Sequence, residues 1–182
     1  EDILIQSSNI VTVNIAKKIG EEKYKKFLKK INIIGSPKFE LDEVGKPISF
    51  KWNKCKLETI SFGHGITTTP LQAASAYATL INGGKLVTPT LLKGKNDNQK
   101  IERIISEETS IKLRKILRKV VTDDKGTASL ADIYGYEVSG KTGTSQYYEN
   151  NNKNINTFLS FFSASDKKYI LLVMLDDPKV AK

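Results

Sequence analysis

The chain has 182 residues, enough for one domain or a large part of one. An apolar fraction of 39% can build a core, which excludes a disordered tail. The net charge is +9, from 29 basic and 20 acidic side chains, but the Lys residues are spread over several predicted helices without a nucleic-acid-binding signature, so a solvated basic surface is expected and a nucleic-acid partner is not.

Ser7 is the predicted N-cap of a first helix over 9–19, which Gly20 ends. A second helix is predicted over 21–31, where Tyr24, Phe27, Leu28 and Ile31 fall at i, i+3, i+4 and i+7 and form one buried stripe. The stretch 33–68 is expected to be irregular, because Gly35, Pro37, Gly45, Pro47, Gly63 and Gly65 interrupt any long element. Pro70 suits the first position of a third helix, with Thr69 as its cap. Ala74, Tyr77, Ala78 and Ile81 form its apolar stripe, and Asn82-Gly83-Gly84 stops it. After a short extended stretch from Pro89 and a polar loop over 93–100, Ser106 caps a fourth helix. Glu107 and Glu108 complement the positive end of that helix, and Leu113, Ile116, Leu117 and Val120 give its core face.

The character changes after Gly126. Strands are predicted over 134–144, 158–164 and 169–175, with Asn-rich 149–156 joining the first pair and Asp166-Lys167-Lys168 turning between the last two. Short connections between successive strands imply an antiparallel meander. The expected fold class is α+β, with helices followed by an antiparallel sheet.

Cys55 is alone, which excludes an internal disulfide, and one Cys with one His, His64, cannot fill a metal's first shell. Asp123-Asp124 precedes Lys125-Gly126 and is better read as a helix-ending turn than as a cation site, so no metal and no cofactor is expected. His64, between Gly63 and Gly65, has no partner nucleophile or carboxylate recognisable from spacing and is read as a turn residue. The longest apolar runs fall far short of the ~20 residues that cross a bilayer. No signal peptide is visible, and the start Glu1-Asp2-Ile3 reads as an excerpt of a longer chain.

Two short motifs carry candidate chemistry. In Lys141-Thr142-Gly143-Thr144 on a strand, Lys141 and Gly143 point one way and Thr142 and Thr144 the other. Gly143 would let a ligand approach the backbone, and Lys and Thr side chains nearby could hold a carboxylate. An exposed strand edge could bind an extended peptide by β-addition. Lys-Thr-Gly alone arises by chance in about one chain in twenty of this size. Ser7-Ser8-Asn9 is weak by itself, since Ser before a helix is usually a cap. Ser165-Asp166-Lys167-Lys168 formally matches Ser-x-x-Lys, but a hairpin turn cannot place the two side chains on one helical face, and it is rejected as a nucleophile pair.

Together these pieces resemble a known family. Ser7-Ser8-Asn9 is followed by Phe62-Gly63-His64-Gly65, Thr69-Pro70-Leu71-Gln72, Ala76-Tyr77-Ala78, Asn82-Gly83-Gly84, Gly126-Thr127-Ala128, Gly140-Lys141-Thr142-Gly143-Thr144 and Asp176-Asp177-Pro178. From Ser7 to Pro178 the chain resembles the second half of the transpeptidase domain of class B penicillin-binding proteins, most of all the division-specific septal peptidoglycan D,D-transpeptidases, with the elongation-specific ones next. The resemblance implies part of the penicillin-binding-protein transpeptidase and serine β-lactamase-like fold. It implies that 1–182 is the C-terminal part of that domain, lacking the nucleophile helix upstream and the terminal helix downstream, with an apolar sheet face left exposed. As catalytic residues it implies Ser7 in a proton relay, Asn9 on the substrate's amide and Lys141 as the cation that assists the relay. It implies that Thr142, Gly143 and Thr144 bind substrate, with the two Thr residues on the stem peptide's terminal carboxylate, or that of a β-lactam, and the Thr144 N–H in the oxyanion hole.

The implied partners are peptidoglycan stem peptides, β-lactams and, through the full-length chain, membrane proteins of cell division or elongation. The implied location is the periplasmic face of the bacterial inner membrane, with an anchor outside this segment. Two alternatives stay open. One is a serine D,D-carboxypeptidase or β-lactamase-like hydrolase, for which a deacylating Glu would be expected. The other is a non-catalytic binding module with the same cleft.

Overall fold

The computed structural model describes residues 1–37, 39–94, 101–146, 153–162 and 169–179. They form two compact units, one made of 9–113 and the other of 1–8 with 114–182. In chain order the helices are α1 (Asp2–Ile5), α2 (Asn9–Ile19), α3 (Glu21–Lys30), α4 (Lys56–Ser61), α5 (Pro70–Ile81) and α6 (Glu107–Thr122). A 3-10 turn, Ser129–Ala131, precedes the strands β1 (Ser139–Gln146), β2 (Asn154–Phe162) and β3 (Tyr169–Asp176).

The unit 9–113 is helical. The predicted stripe of α3 is its core: Leu28 and Ile31 are buried with Ile60 of α4 and Ala76 of α5, and Tyr24, Phe27, Phe50 and Trp52 pack against them. Lys25 lies along this core, with its ammonium 4.6 Å from the Trp52 ring centre while it pairs with Glu21 and Glu22. Helix α4 falls inside a stretch expected to be irregular. It is six residues long, too short for a periodic signal, and Ile60 holds it through the core.

Helix α5 starts as its sequence dictates. The Thr69 hydroxyl accepts from Gln72 N at 3.2 Å, the Gln72 side chain accepts from Thr69 N, and Pro70 takes the first position. Its buried face differs from the expected one. Ala74 and Ala78 are only half-buried, while Gln72, Ser75, Ala76, Tyr77, Thr79 and Ile81 are inside. Gln72, Ser75 and Thr79 are tolerated inside because each finds a backbone partner. Gln72 Nε2 donates to the carbonyls of Asn32 and Gly35, both at 3.0 Å. Thr79 Oγ1 donates to Ser75 O and accepts from Val87 N, each at 2.9 Å. Fully buried Ser110 of α6 accepts from Gly83 N at 3.0 Å in the turn that ends α5.

In the unit 1–8 with 114–182, Ile5 of α1 is buried with Val120, Val121 and Ala128, and Phe158 of β2 packs against this cluster. Glu1 pairs with Lys119, which holds the Glu1 carboxyl below its ordinary range. The sheet is the expected antiparallel meander, in the order β1-β2-β3. Lys141 pairs with Leu159, Thr142 with Phe158 and Gly143 with Thr157.

The strand limits differ from expectation. β1 begins at Ser139 rather than at 134, because Gly135 and Glu137 adopt φ of 84° and 46° and Tyr136 N closes a turn onto Ile133 O. β2 starts earlier, at Asn154, since Asn154–Asn156 complete the ladder with Thr144, Ser145 and Gln146. Leu171, Val173 and Leu175 alternate onto one face of β3 and remain exposed. The expected turn at Asp166-Lys167-Lys168, the Ser165–Lys168 pair, the first half of the Asn-rich link and most of the 93–100 loop lie outside the described residues.

Replacing Gln72 by Leu keeps the volume but removes the donors from two carbonyls. It is expected to cost about 2 kcal/mol. The measurement is amide hydrogen exchange, which should accelerate across 31–36 and α5; unchanged exchange would show that those carbonyls do not depend on Gln72.

Candidate active site

The site is assembled around β1. Lys141 extends from this strand, and its Nζ donates to Ser7 Oγ at 2.8 Å and to the Thr142 carbonyl at 3.1 Å. Ser7 and Lys141 are 134 positions apart in sequence and meet inside one unit. Ser7 follows α1, whose Ile5 is anchored in the core beside α6, and it adopts a φ of 56°. That left-handed backbone is uncommon outside glycine. With α2 beginning at Asn9, Ser7 stands one residue ahead of the cap position, which corrects the reading of Ser7 as the N-cap.

Burial pushes the Lys141 amine below the ordinary lysine range, because partial removal from water disfavours the ammonium form. Its hydrogen-bond partners among the described residues are a hydroxyl and a carbonyl, neither of which carries charge. The pair is therefore an electropositive, partly desolvated group able to exchange a proton with a hydroxyl beside it.

The rest of the motif is set by its neighbours. Thr142 Oγ1 lies 2.8 Å from Thr127 Oγ1, a hydroxyl pair in which either oxygen can donate. A Cβ at Gly143 would come within 2.7 Å of Thr157 Oγ1 on β2, and Thr157 Oγ1 donates to Gly143 O at 3.3 Å. The glycine thus meets a close approach from its own sheet. Thr144 is exposed at the outer part of β1. Among the described residues β1 pairs only with β2, so its other edge is open to an extended ligand. Asn9, the first residue of α2, is exposed in the unit 9–113.

His64 sits between Gly63 and Gly65, whose φ values are 87° and 70°, and its N–H closes a turn onto Thr59 O at 2.9 Å. Asp123-Asp124 lie in the turn after α6, where Asp123 Oδ1 accepts from Lys125 N at 2.9 Å. A concavity of about 330 Å³ in the unit 9–113, lined by residues including Lys29, Phe50 and Trp52, contains none of the expected site residues.

Three residues that support the site escaped sequence reasoning as site residues. Thr127 was visible only as part of a resemblance. Thr157 is identified once the β1–β2 register is known. Arg118 donates to Val138 O at 2.6 Å and pairs with Asp132 at 2.9 Å, fixing the approach to β1. On a Lys- and Arg-rich helix nothing in the sequence singles it out.

Residues 1–182 match the penicillin binding protein transpeptidase domain family. The chain is 31% identical to a probable peptidoglycan D,D-transpeptidase FtsI from Caulobacter vibrioides, over 98% of this chain and 32% of that protein. It is 32% identical to stage V sporulation protein D of Bacillus subtilis, over 98% of this chain and 30% of that protein. The chain therefore spans about a third of the length of these relatives. Among solved structures, the transpeptidase domain of Burkholderia pseudomallei penicillin-binding protein 3 superposes with a TM-score of 0.85 at 26% identity, covering 97% of this chain and 55% of that one.

The lowered Lys141 pKa has a definite sign. Between that value and the unfolded value of about 10.4, the folded protein binds fewer protons at this group than the unfolded chain. Its contribution to stability therefore rises as pH climbs through that window. Carbon-13 NMR of the lysine ε-methylene groups should show Lys141 titrating below ordinary lysines; titration at or above about 10.4 would contradict a desolvated amine.

Proposed function

The chain belongs to the penicillin-binding-protein transpeptidase domain family, and on that premise we propose that it forms one wall of the active site of a serine peptidoglycan D,D-transpeptidase. The observation that carries the reading is the 2.8 Å contact from Lys141 Nζ to Ser7 Oγ, a cation and a hydroxyl poised beside an open strand edge. The nucleophilic serine is assigned to a Ser-x-x-Lys helix in sequence preceding Glu1, with 1–182 as the C-terminal part of the domain.

In the proposed reaction the serine oxygen attacks the penultimate D-alanyl carbonyl of a stem peptide. The Thr144 N–H, with the nucleophile's own N–H, stabilises the oxyanion. The amide C–N bond breaks, and D-alanine departs with the proton given up by the attacking serine, passed to its nitrogen through the Ser7 hydroxyl that Lys141 holds. The amine of a neighbouring stem peptide then attacks the acyl-ester carbonyl and releases the serine, which completes the crosslink. Thr142 and Thr144 hold the terminal carboxylate on either side of Gly143, whose lack of a side chain fits Thr157 of β2, and Asn9 contacts the substrate's amide. The lowered pKa of Lys141 suits this relay, because an amine nearer neutrality gives up and regains its proton more readily. A penicillin presents a carbonyl and a carboxylate of similar disposition and acylates the same serine.

The enzyme is assigned to cell-wall synthesis and division, at the periplasmic face of the inner membrane beside division or elongation membrane proteins. Among the described residues no helix is long and apolar enough to cross a membrane; the proposed anchor belongs to another segment of the protein.

Incubation of the full-length protein with a fluorescent penicillin is expected to give a covalent label that survives denaturation. Replacing the upstream serine should abolish the label. Lys141→Ala should slow acylation by at least about a hundredfold. No label, or near-wild-type acylation of the Lys141 variant, would overturn the assignment.

A further inference from the structure

Thr142 is tied to the loop after α6, and that loop is held by backbone hydrogen bonds and close packing. Gly126 N donates to Asp123 O at 2.8 Å, and Ala128 N donates to Val120 O at 3.2 Å. Gly126 has no room for a side chain, because a Cβ there would collide with the Val120 carbonyl. Thr127 therefore lies between Gly126, bonded to Asp123 just past the end of the helix, and Ala128, bonded to Val120 in its last turn and buried in the core with it. Helix α6 also holds the approach to β1, through the Arg118 bond to Val138 O. The helix thus fixes both hydroxyls of the 2.8 Å pair, Thr127 through the loop and Thr142 through the strand.

A threonine hydroxyl has one hydrogen to donate and two lone pairs to accept with. If Thr142 is to give its hydrogen to a bound carboxylate, its oxygen must be the acceptor in the pair, so Thr127 must donate. A donated hydrogen bond on the Thr142 oxygen polarises its O–H and strengthens the outgoing bond. It also removes the alternative in which Thr142 spends its hydrogen on a neighbour.

We propose that Thr127 is a positioning residue for carboxylate recognition, orienting the Thr142 hydroxyl so that its hydrogen points at the substrate's terminal carboxylate. The inference rests on the reading of Thr142 as a carboxylate ligand, and it adds a residue, a direction for the proton and a ligand group that the residue serves. Thr127 does not touch the reacting atoms. Its effect is confined to substrates that carry the carboxylate.

The test compares a penicillin with its methyl ester as acylating agents of the full-length protein, using Thr127→Val, Thr127→Ser and Thr142→Val. Thr127→Val should lower the second-order acylation rate constant for the acid by about fivefold to tenfold, the size expected for one net hydrogen bond, and leave the ester rate unchanged. Thr127→Ser, which keeps the hydroxyl, should restore the acid rate to within about twofold. Thr142→Val should show the same selectivity for the acid, at least as strongly. If Thr142→Val discriminates and Thr127→Val does not, or if Thr127→Ser is as slow as Thr127→Val, the positioning role is overturned while the carboxylate reading stands. Equal losses on acid and ester in Thr127→Val would show damage to the fold and overturn it as well. If Thr142→Val itself fails to discriminate, the carboxylate reading falls and the inference falls with it.

Discussion

The hydrogen bond between Lys141 and Ser7 is the contact on which the active-site reading depends. It joins the two short motifs, and it does so through a cation that has lost part of its water and whose hydrogen-bond partners among the described residues are uncharged. Such an arrangement is costly unless hydrogen bonds hold the ammonium group. Here they come from the Ser7 hydroxyl and the Thr142 carbonyl. A carboxylate in their place would have stabilised the charge and quenched the site. An uncompensated cation stays available to an anionic ligand.

That contact exists because helix α6 organises its unit. Val120 and Val121 hold Ile5, and with it the turn that carries Ser7. Arg118 holds Val138, from which β1 departs. The last turn of the helix holds the loop that brings Thr127 to Thr142. The unit 9–113 follows a different rule. Its α5 buries Gln72, Ser75 and Thr79, and the cost of that burial is offset because each side chain hydrogen-bonds a backbone group: Gln72 the carbonyls of Asn32 and Gly35, Thr79 the N–H of Val87, and Ser75 the Leu71 carbonyl within the helix. These bonds tie 32–35 and 87 to the helix, so polar side chains supply order that an all-apolar stripe would not.

Much of the fold was legible locally. The stop at Gly20, the start at Thr69-Pro70, the cap at Ser106 and the apolar stripe of α3 depend on interactions within a few residues, and the structure follows them. The misses have a common cause. Helix α4 is held by the distant core, the buried face of α5 is chosen by acceptors some 40 positions away, and β1 starts where positive φ at Gly135 and Glu137 breaks the extended chain. Ser7 looked like a cap because a hydroxyl before a helix usually is one. Its partner instead comes from a strand at the other end of the chain.

The sequence by itself determined which chemistry was present and in what order: a Ser-x-Asn, a Thr-Pro-Leu-Gln helix start, and a Lys-Thr-Gly-Thr flanked by strand-forming residues. It determined the helical and extended periods as well, since both follow from spacing along the chain. Only the tertiary structure decided which hydroxyl meets Lys141, that Gly143 faces Thr157, and that Thr127 reaches Thr142. Each of these is a contact between residues at least 14 positions apart. Strand register and packing against α6 set such contacts, and neither is written in any local pattern.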